Sequence, residues 1–348
     1  MPRRAPAKSE RYQLHRSPLA QRPTQRDIAK LLGETRDDLR RLVNYKEEFV
    51  QRRKIESVKS GKIRELAYPV GRLRGVHERL KFHLNKIKQP SYLFSPRRGF
   101  GQRDNAAYHI RQDQFLTLDL KQFYPSTSGA IIKRWLWEDL GMPEDVAGLL
   151  MHLVTVDEKA SLGSPVTPVL CSLIHRKMFD RIAEICDARG LRYSVWVDDL
   201  TISGRFVPGD VLMQVRDIIR TSGLRSHKIK FRTGSRPVFI TGIGVVGPHL
   251  VAPNTLHLRI QAGWADYHDA VTDDEKDAAC QTLLSFLGTL RHISGRKSKA
   301  GQKVADQMNA LRMEREVRQK FAIQLDKEKA ELRVQTNYCA VEDLPFDL

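Results

Sequence analysis

The stretch Val-Trp-Val-Asp-Asp-Leu-Thr-Ile-Ser, residues 195–203, places two adjacent carboxylates between two short apolar runs. Each run has the composition of a β-strand, and a charged pair where two strands meet is typical of a tight turn. The sequence therefore predicts a β-hairpin with Asp198 and Asp199 at its tip. Carboxylates held together in this way are costly to desolvate without a cationic partner, and a divalent metal ion is the usual partner.

A second predicted strand carries a carboxylate near its end. Residues 115–120 read Phe-Leu-Thr-Leu-Asp-Leu, with Asp119 as the only charged residue. Three carboxylates on neighbouring strands could hold two Mg²⁺ ions and stabilise the attacking and leaving oxygens of an in-line phosphoryl transfer. An Asp pair alone is also common in ordinary turns. The motifs around these strands must decide between the two interpretations.

The chain as a whole has a large excess of positive charge. Its 348 residues include 59 Lys and Arg against 41 Asp and Glu, a formal net charge of +18 at pH 7. This excess favours a polyanionic partner, nucleic acid first and an anionic membrane second. A basic surface without a binding function is the alternative. The length allows two or three subdomains with a substantial core.

The cysteines and the apolar runs both favour a protein of the reducing cytoplasm. The four cysteines are scattered without a Cys-x-x-Cys pair, which predicts reduced residues rather than a disulfide framework or a zinc site. Apolar runs fall short of membrane-spanning length, and the N-terminus lacks the apolar core of a signal peptide. We therefore expect a soluble, cytoplasmic protein.

Composition and periodicity divide the chain into four parts. Residues 1–27 are basic and rich in proline, which predicts a flexible arm without a fold of its own. Helices are expected over residues 28–112, and residues 113–255 alternate between strands and helices. This alternation predicts an α+β layer with helices on a mostly antiparallel sheet. Residues 256–348 are expected to be mainly helical.

Several individual elements are predicted within these parts. Residues 28–50 have a helical apolar pattern, and a second apolar helix face extends through residues 170–185. A further helix is predicted at 211–222 and ends at Gly223. A strand is predicted at 238–246.

Two motifs flank the carboxylates and carry a family resemblance. Residues 118–126 read Leu-Asp-Leu-Lys-Gln-Phe-Tyr-Pro-Ser, and residues 161–168 read Ser-Leu-Gly-Ser-Pro-Val-Thr-Pro before a predicted helix. In this order with the acidic hairpin, they resemble a reverse transcriptase of the bacterial retron type, over roughly residues 28–320. The resemblance implies an RNA-directed DNA polymerase with the right-hand architecture: fingers within 28–112, palm within 113–255 and a helical thumb within 256–348.

The resemblance also implies a catalytic set. Asp119, Asp198 and Asp199 would bind two Mg²⁺ ions, with help from the backbone carbonyl of Leu120. Lys230, seven residues past Gly223, would protonate the pyrophosphate as it leaves. The hairpin reads Trp-Val-Asp-Asp where the family usually has Tyr-Ala-Asp-Asp.

Nucleotide-binding residues are implied in three places along the chain. Tyr124, five residues beyond Asp119, matches the aromatic residue that excludes a sugar 2′-hydroxyl, and Gly163 would let the backbone approach the incoming base pair. Leu162 stands where the family has Gln. Lys62 and Arg64 match the fingers strand that grips the triphosphate, a role suited to fixed cationic donors.

Two short boxes separate retron enzymes from other reverse transcriptases. Asn-Ala-Ala-Tyr-His at 105–109 fits the Asn-Ala-x-x-His box, and Ile240-Thr241-Gly242 fits the Val-Thr-Gly box. The signature residues are therefore Asn105, His109, Thr241 and Gly242. The family implies dNTPs as substrates, a cognate structured RNA copied in part into a branched RNA–DNA product, and a role in anti-phage defence beside a co-encoded effector protein.

RNA recognition is expected in the C-terminal region, where a basic loop adjoins long helices. Arg and Lys give affinity through phosphates, and the shape of a folded RNA gives specificity. The loop residues are Arg291, Arg296, Lys297, Lys299 and Lys303. Two alternatives stay open: another bacterial reverse transcriptase of the group II intron-like or abortive-infection type, and a noncatalytic RNA-binding scaffold descended from a polymerase.

Overall fold

A computed structural model of the chain describes residues 11–56, 61, 63–233 and 236–339, with the backbone alone for Arg64 and residues 332–339. The chain divides into two compact units between Thr241 and Gly242, earlier than the palm boundary predicted at residue 255. Both helices and sheets are present, and the principal sheet is mostly antiparallel. The predicted α+β class is confirmed.

The described residues form the following elements. The strands are β1 (Val50–Glu56), β2 (Ile63–Pro69), β3 (Leu93–Ser95), β4 (Gln114–Leu120), β5 (Thr155–Val156), β6 (Lys159–Ala160), β7 (Arg192–Trp196), β8 (Asp199–Gly204), β9 (Ser226–Thr233), β10 (Val238–Ile240), β11 (Ile243–Val246) and β12 (His249–Val251). The helices are α1 (Gln25–Leu32), α2 (Arg36–Asn44), α3 (Gly71–Leu84), α4 (Gln102–Tyr108), α5 (Phe123–Ser126), α6 (Gly129–Arg134), α7 (Glu144–Val154), α8 (Thr167–Ile174), α9 (Arg176–Asp187), α10 (Gly209–Thr221), α11 (Asn254–Asp269), α12 (Asp273–Ser294) and α13 (Lys299–Cys339).

A five-stranded sheet organises the first unit, with strand order β3-β7-β8-β4-β9. Strand β3 is parallel to β7, and the other neighbours are antiparallel. Strand β4 lies between β8 and β9, so the strand that carries Asp119 is paired on both edges. Four of its strands, β4, β7, β8 and β9, lie within residues 113–255, the region predicted as the palm, whereas β3 lies before it. We call this sheet the palm sheet.

The two faces of the palm sheet differ in chemistry. Side chains alternate along a strand, and directly paired residues share a face. One face contributes apolar residues to the main core, where they are buried with residues of α9 and α10: Leu116, Leu118, Leu120, Tyr193, Val195, Leu200 and Ile202. The opposite face carries Asp119 and Asp199, which are paired across β4 and β8. The apolar face therefore anchors the sheet in the main core, and the acids lie at one end of the opposite face.

Helices α1, α2, α3 and α7 pack together beside the antiparallel β1–β2 hairpin. The helix predicted over residues 28–50 is divided into α1 and α2, because Gly33 adopts a left-handed conformation (φ 63°) that ends α1. Thr24 and Thr35 then cap the two helices through their hydroxyl groups. The predicted fingers region thus has two short capped helices in place of one long helix.

The flexible arm predicted for residues 1–27 differs from the structure at residues 11–27. Tyr12 forms a parallel bridge with Ile87, with backbone hydrogen bonds to Lys86 (3.0 Å) and Lys88 (2.8 Å). Leu19 is buried in the main core, and α1 already begins at Gln25. Burial of a few apolar side chains holds this segment in spite of its basic composition. Residues 1–10 lie outside the described part of the chain.

Two other predicted elements are interrupted. The helix face predicted through residues 170–185 belongs to two helices, α8 and α9, which meet at His175. The strand predicted at 238–246 is broken at Thr241 and Gly242, both of which have positive φ angles (47° and 86°). In each case the apolar pattern is correct and the backbone turns within it.

The described part of the second unit contains the β11–β12 hairpin and three helices, α11, α12 and α13. Tyr267 of α11 packs with residues of α12 and α13 in a separate apolar core. Asp277 of α12 forms ion pairs with Arg315 (3.1 Å) and Arg318 (3.5 Å) of α13. The predicted helical character of the C-terminal region is thus present in the structure.

Candidate active site

The three predicted carboxylates lie at one end of the palm sheet. Asp119 of β4 and Asp199 of β8 are direct cross-strand partners, and Asp198 precedes Asp199 in the β7–β8 turn. The backbone N–H of Leu120 donates to the carbonyl of Asp198 at 2.9 Å. The sheet therefore brings together residues that are almost 80 positions apart in the sequence.

The turn of the acidic hairpin has an unusual backbone. Trp196 pairs with Asp199, so Val197 and Asp198 form a two-residue loop. Val197 has a φ of 60°, a conformation that favours glycine and that β-branched residues rarely adopt. Such strain persists only where the surrounding structure enforces it. The strands must therefore hold this turn in place.

Asp119 has two basic neighbours on β9. The Lys228 ammonium lies 2.7 Å from Asp119 Oδ2, and His227 Nδ1 lies 3.3 Å from Oδ1. The hydrogen bond to Asp119 raises the pKa of Lys228. This lysine therefore stays charged and offsets part of the negative charge at the end of the sheet.

The two adjacent acids of the hairpin both have raised pKa values. Desolvation and the charge of Asp119 raise the pKa of Asp198. Desolvation, followed by the charges of Asp198 and Asp119, raises the pKa of Asp199 to about 6. Two acids whose pKa values are raised by desolvation, and further by neighbouring negative charge, form a site that favours added positive charge.

Sequence reasoning selected Lys230 as the catalytic lysine, whereas the structure brings Lys228 to the carboxylates. Lys230 is exposed and pairs with Thr117, whereas Asp119, two residues later on β4, pairs with His227. Between these two pairs β9 has an extra residue, and Lys228 has a φ of 52°. This β-bulge redirects the side chain toward Asp119. A bulge of this kind has no clear signal in the local sequence.

Tyr124 lies beside the carboxylates. Its ring is half-buried and packs against Phe123, with centroids 5.5 Å apart. Burial, together with the charges of Cys171 and Asp198, raises the pKa of the Tyr124 hydroxyl, so it remains protonated. Its neighbour Pro125 lines a cleft that also includes Leu162. The first motif and the 161–168 motif therefore meet at this cleft.

The turn at residues 161–168 is fixed by contacts on both sides. Gly163 has a φ of 90°, and a Cβ at this position would lie 3.1 Å from Tyr68 Cβ of β2. The Ser161 hydroxyl donates to the carbonyl of Ala67 in β2. Buried His77 of α3 contacts the Ser164 hydroxyl at 2.6 Å. Glycine is thus required for the close approach of this turn to β2.

Basic residues of β1 that were not predicted line the same cleft. Arg52 is held by Asp157 (2.8 Å) and Glu47 (3.2 Å), while Arg53 and Lys54 also border the cleft. The available signal in the sequence was a run of three consecutive basic residues at 52–54. Of the predicted triphosphate residues, Lys62 lies outside the described part of the chain, and Arg64 is described by its backbone in β2.

The two signature boxes come together at α4. Asn105 and His109 are buried at this helix and its C-terminal end, and the Thr241 hydroxyl lies 3.5 Å from the carbonyl of Gln102. His109 contacts two serines of the palm sheet, Ser194 at 2.7 Å and Ser203 at 2.6 Å. These boxes are therefore part of the support of the sheet, away from its acidic end.

The predicted RNA-binding residues surround the connection between α12 and α13. Arg291 is half-buried near the end of α12, and the other four are exposed in the turn or in the first turns of α13: Arg296, Lys297, Lys299 and Lys303. Lysines near a helix N-terminus oppose the helix dipole. Helix stability therefore does not explain their placement.

The carboxylates suit a divalent cation by their chemistry, since Mg²⁺ prefers hard oxygen ligands. Across the described ranges, however, His, Cys, Asp and Glu side chains do not form a group of three that could hold a metal ion. Lys228 and His227 contact Asp119 instead. The three carboxylates supply suitable oxygen donors, while in the described structure the Lys228 ammonium takes the place of a cation beside Asp119.

Sequence relatives of this chain were found among bacterial proteins, although no family model matches it. The chain is 28% identical over 177 residues to the retron Se72 reverse transcriptase of Salmonella heidelberg, covering 51% of this chain and 47% of the relative. It is 28% identical over 166 residues to the retron Mx65 reverse transcriptase of Myxococcus xanthus (42% and 38%), and 30% identical over 102 residues to the retron Ec86 reverse transcriptase of Escherichia coli (29% and 32%).

Solved structures give more distant likenesses. Telomerase from Candida albicans, in complex with a fragment of telomeric RNA, has a TM-score of 0.44 at 9% identity, covering 76% of this chain and 60% of that one. The foamy viral protease-reverse transcriptase with an RNA/DNA hybrid has a TM-score of 0.41 at 15% identity, covering 70% and 27%.

The chain is therefore similar in sequence to reverse transcriptases. The relatives are of the retron type, and the resemblance predicted from the motifs is confirmed. The matched segment spans less than half the length of each of these relatives. None of the helices in the described residues is both long and apolar enough to cross a membrane.

Proposed function

We propose that this protein is an RNA-directed DNA polymerase of the retron type. The observation that carries the proposal is the meeting of Asp119 and Asp199 across β4 and β8, with Asp198 in the adjoining turn. Sequence similarity to retron reverse transcriptases supports the same reaction. The proposed template is a cognate structured RNA, copied in part into a branched RNA–DNA molecule.

The proposed reaction joins a primer hydroxyl to a dNTP. The hydroxyl oxygen attacks the α-phosphorus, the bond to the β-phosphate oxygen breaks, and pyrophosphate leaves while the hydroxyl proton passes to solvent. The first primer would be a 2′-hydroxyl of the RNA, and later ones the DNA 3′-hydroxyl. The protein contributes position and charge, the main requirements of phosphoryl transfer.

Asp119, Asp198 and Asp199, with the carbonyl of Leu120, would hold two Mg²⁺ ions. Bound there, the ions would neutralise charge on the attacking and leaving oxygens. Lys228 would release Asp119 Oδ2 when the cations enter and would then be free to face the leaving phosphates. Tyr124 would close the space beside the sugar, and Gly163 would let the backbone approach the incoming base pair.

Primer extension with dNTPs on a primed RNA template tests the proposal. Asp119→Asn and Asp198→Asn should each abolish Mg²⁺-dependent synthesis and leave RNA binding largely intact, because the basic surfaces are unchanged. Asp217→Asn is the matched control, since this exposed residue pairs only with Arg220 on α10 among the contacts of the described chain. Normal synthesis by Asp198→Asn would refute the site.

A noncatalytic RNA-binding scaffold is the second candidate. Leu162 in place of the family Gln, and the engagement of Asp119 by Lys228, favour it. RNA that co-purifies with a wild-type protein unable to incorporate any dNTP would support the scaffold over the polymerase. Sequencing the co-purified nucleic acid would also test the proposed retron RNA and, with it, a role in anti-phage defence beside an effector protein.

A further inference from the structure

His109 is a buried histidine that connects two strands. Its ring is fully buried, with Nδ1 2.6 Å from Ser203 Oγ and Nε2 2.7 Å from Ser194 Oγ. Burial lowers the pKa of His109 to about 3, so the imidazole is neutral. A neutral imidazole donates from one nitrogen and accepts at the other. It can therefore satisfy both serine hydroxyls at once.

The two serines belong to the acidic hairpin. Ser194 lies on β7 four residues before Asp198, and Ser203 lies on β8 four residues after Asp199. By the register of the two strands, both serines lie on the same face of the sheet as Asp199. His109 thus braces the hairpin on its acidic face, roughly 13 Å along the strands from the tip.

A second contact fixes the position of the His109 backbone. The Arg192 guanidinium of β7 donates to the carbonyls of Tyr108 (2.6 Å) and Ile110 (3.0 Å). It also lies over the Tyr108 ring, 5.7 Å from the centroid. The residues on both sides of His109 are therefore attached to the strand that the imidazole contacts.

The turn at the hairpin tip explains why such a brace is needed. Val197 adopts a left-handed conformation that disfavours a β-branched residue, so the turn by itself does not favour the observed geometry. The strands must supply the constraint, and the imidazole joins the two strands through their side chains.

We infer that His109 is a positioning residue for nucleotidyl transfer, which bridges Ser194 and Ser203 and so fixes Asp198 and Asp199 relative to Asp119. This inference rests on the proposed function. A histidine that serves only core stability is the competing explanation. The two explanations predict different outcomes. If His109 serves only stability, a variant with restored stability also has a restored rate. If His109 positions the acids, the rate of that variant stays low.

The experiment compares rate with stability in the same proteins. His109→Phe keeps a ring and removes both hydrogen bonds, leaving two buried hydroxyls unsatisfied. A triple variant that adds Ser194→Ala and Ser203→Ala removes those hydroxyls as well, and removing all polar partners together is often close to neutral for stability. We expect the triple variant to regain most of the thermal midpoint, while kcat for single-nucleotide incorporation stays about 10- to 100-fold low at an unchanged KM for dNTP.

Smaller changes and a control complete the test. Ser194→Ala and Ser203→Ala alone should each lower kcat without changing KM, whereas Ser172→Ala should not, because that hydroxyl bonds within its own helix α8. Wild-type kcat in the triple variant, or in both single serine variants, would overturn the inference about His109 and leave the proposed function intact. Wild-type protein that makes no product refutes the proposed function first, so the two failures are distinct.

Discussion

Leu120 and Asp198 are joined by a backbone hydrogen bond of 2.9 Å between the end of β4 and the tip of the β7–β8 hairpin. The bond continues the β4–β8 ladder beyond its last residue pair, Asp119 and Asp199. It fixes the tip of the hairpin to the strand that carries the first carboxylate. The backbone ladder therefore contributes to the relative position of the three acids, and isosteric changes in the acid side chains should leave this ladder intact.

Replacing Lys228 should impair synthesis much more than replacing Lys230. Both lysines are exposed, but Lys228 contacts Asp119 at 2.7 Å, whereas Lys230 pairs with Thr117, two residues before Asp119 on β4. We expect Lys228→Gln to lower kcat on the order of 100-fold, because it removes a fixed charge from the site. Lys230→Gln is the matched control on the same strand and should stay near the wild-type rate. Primer extension that gives the reverse order would restore Lys230 as the catalytic lysine.

Shortening Tyr124 should weaken sugar discrimination. Its ring is half-buried beside Phe123. The retron resemblance assigns this residue, five positions beyond Asp119, to the exclusion of a ribose 2′-hydroxyl. Tyr124→Ala should raise the relative kcat/KM for ribonucleotides on the order of tenfold or more. Tyr124→Phe keeps the ring and should keep the discrimination. If Tyr124→Ala remains active and selects sugars as before, the ring serves packing only.

The hairpin acids predict a pH-dependent stability of the metal-free protein. The folded state raises the pKa of Asp199 from 3.8 to about 6 and also raises that of Asp198. The folded protein therefore holds these protons more tightly than the unfolded chain. The resulting stabilisation is complete below about pH 4 and is lost as the pH rises through about 6.

Thermal unfolding with and without Mg²⁺ measures this effect. The Mg²⁺-induced rise in the midpoint should be larger at pH 7 than at pH 5, because protons compete with the cation at the lower pH. In a double variant, Asp198→Asn with Asp199→Asn, the midpoint should change less between pH 4 and 6, and Mg²⁺ should have little effect. An equal Mg²⁺ response in wild type and double variant would place cation binding elsewhere.

The basic turn between α12 and α13 should bind RNA through its phosphates. Replacing the four exposed cations of this turn with Gln should make RNA binding less sensitive to salt. The slope of log K against log salt concentration should fall in magnitude by about 0.7 to 0.9 for each phosphate that the variant no longer neutralises. The four are Arg296, Lys297, Lys299 and Lys303.

A matched variant with four other exposed cations of α13 provides the control: Arg312, Lys320, Lys327 and Lys329. The net charge falls equally in both variants, so a change common to both reflects the overall field of the protein. A larger reduction of the slope in the turn variant supports RNA binding through phosphates at this turn. Equal slopes would move recognition to the basic residues of the first unit.

The sequence by itself determined the strands, their acids and the apolar faces. Alternation in residues 115–120 and 195–203 is a local pattern with a period of two, so the strands and their buried sides follow from it directly. The hairpin with its Asp pair could be predicted because a short connection leaves antiparallel pairing as the simple outcome. The motif order was also sufficient for the retron resemblance, which the sequence relatives confirm.

Only the tertiary structure decided which side chains meet. Lys228 replaces Lys230 at Asp119 because a bulge in β9 shifts the alternation, and a bulge depends on the pairing of β9 with β4. His109 reaches Ser194 and Ser203 because α4 packs on the sheet, which brings together segments some 90 residues apart. Local patterns fix which face a residue lies on, whereas register, bulges and packing between distant segments fix its neighbours.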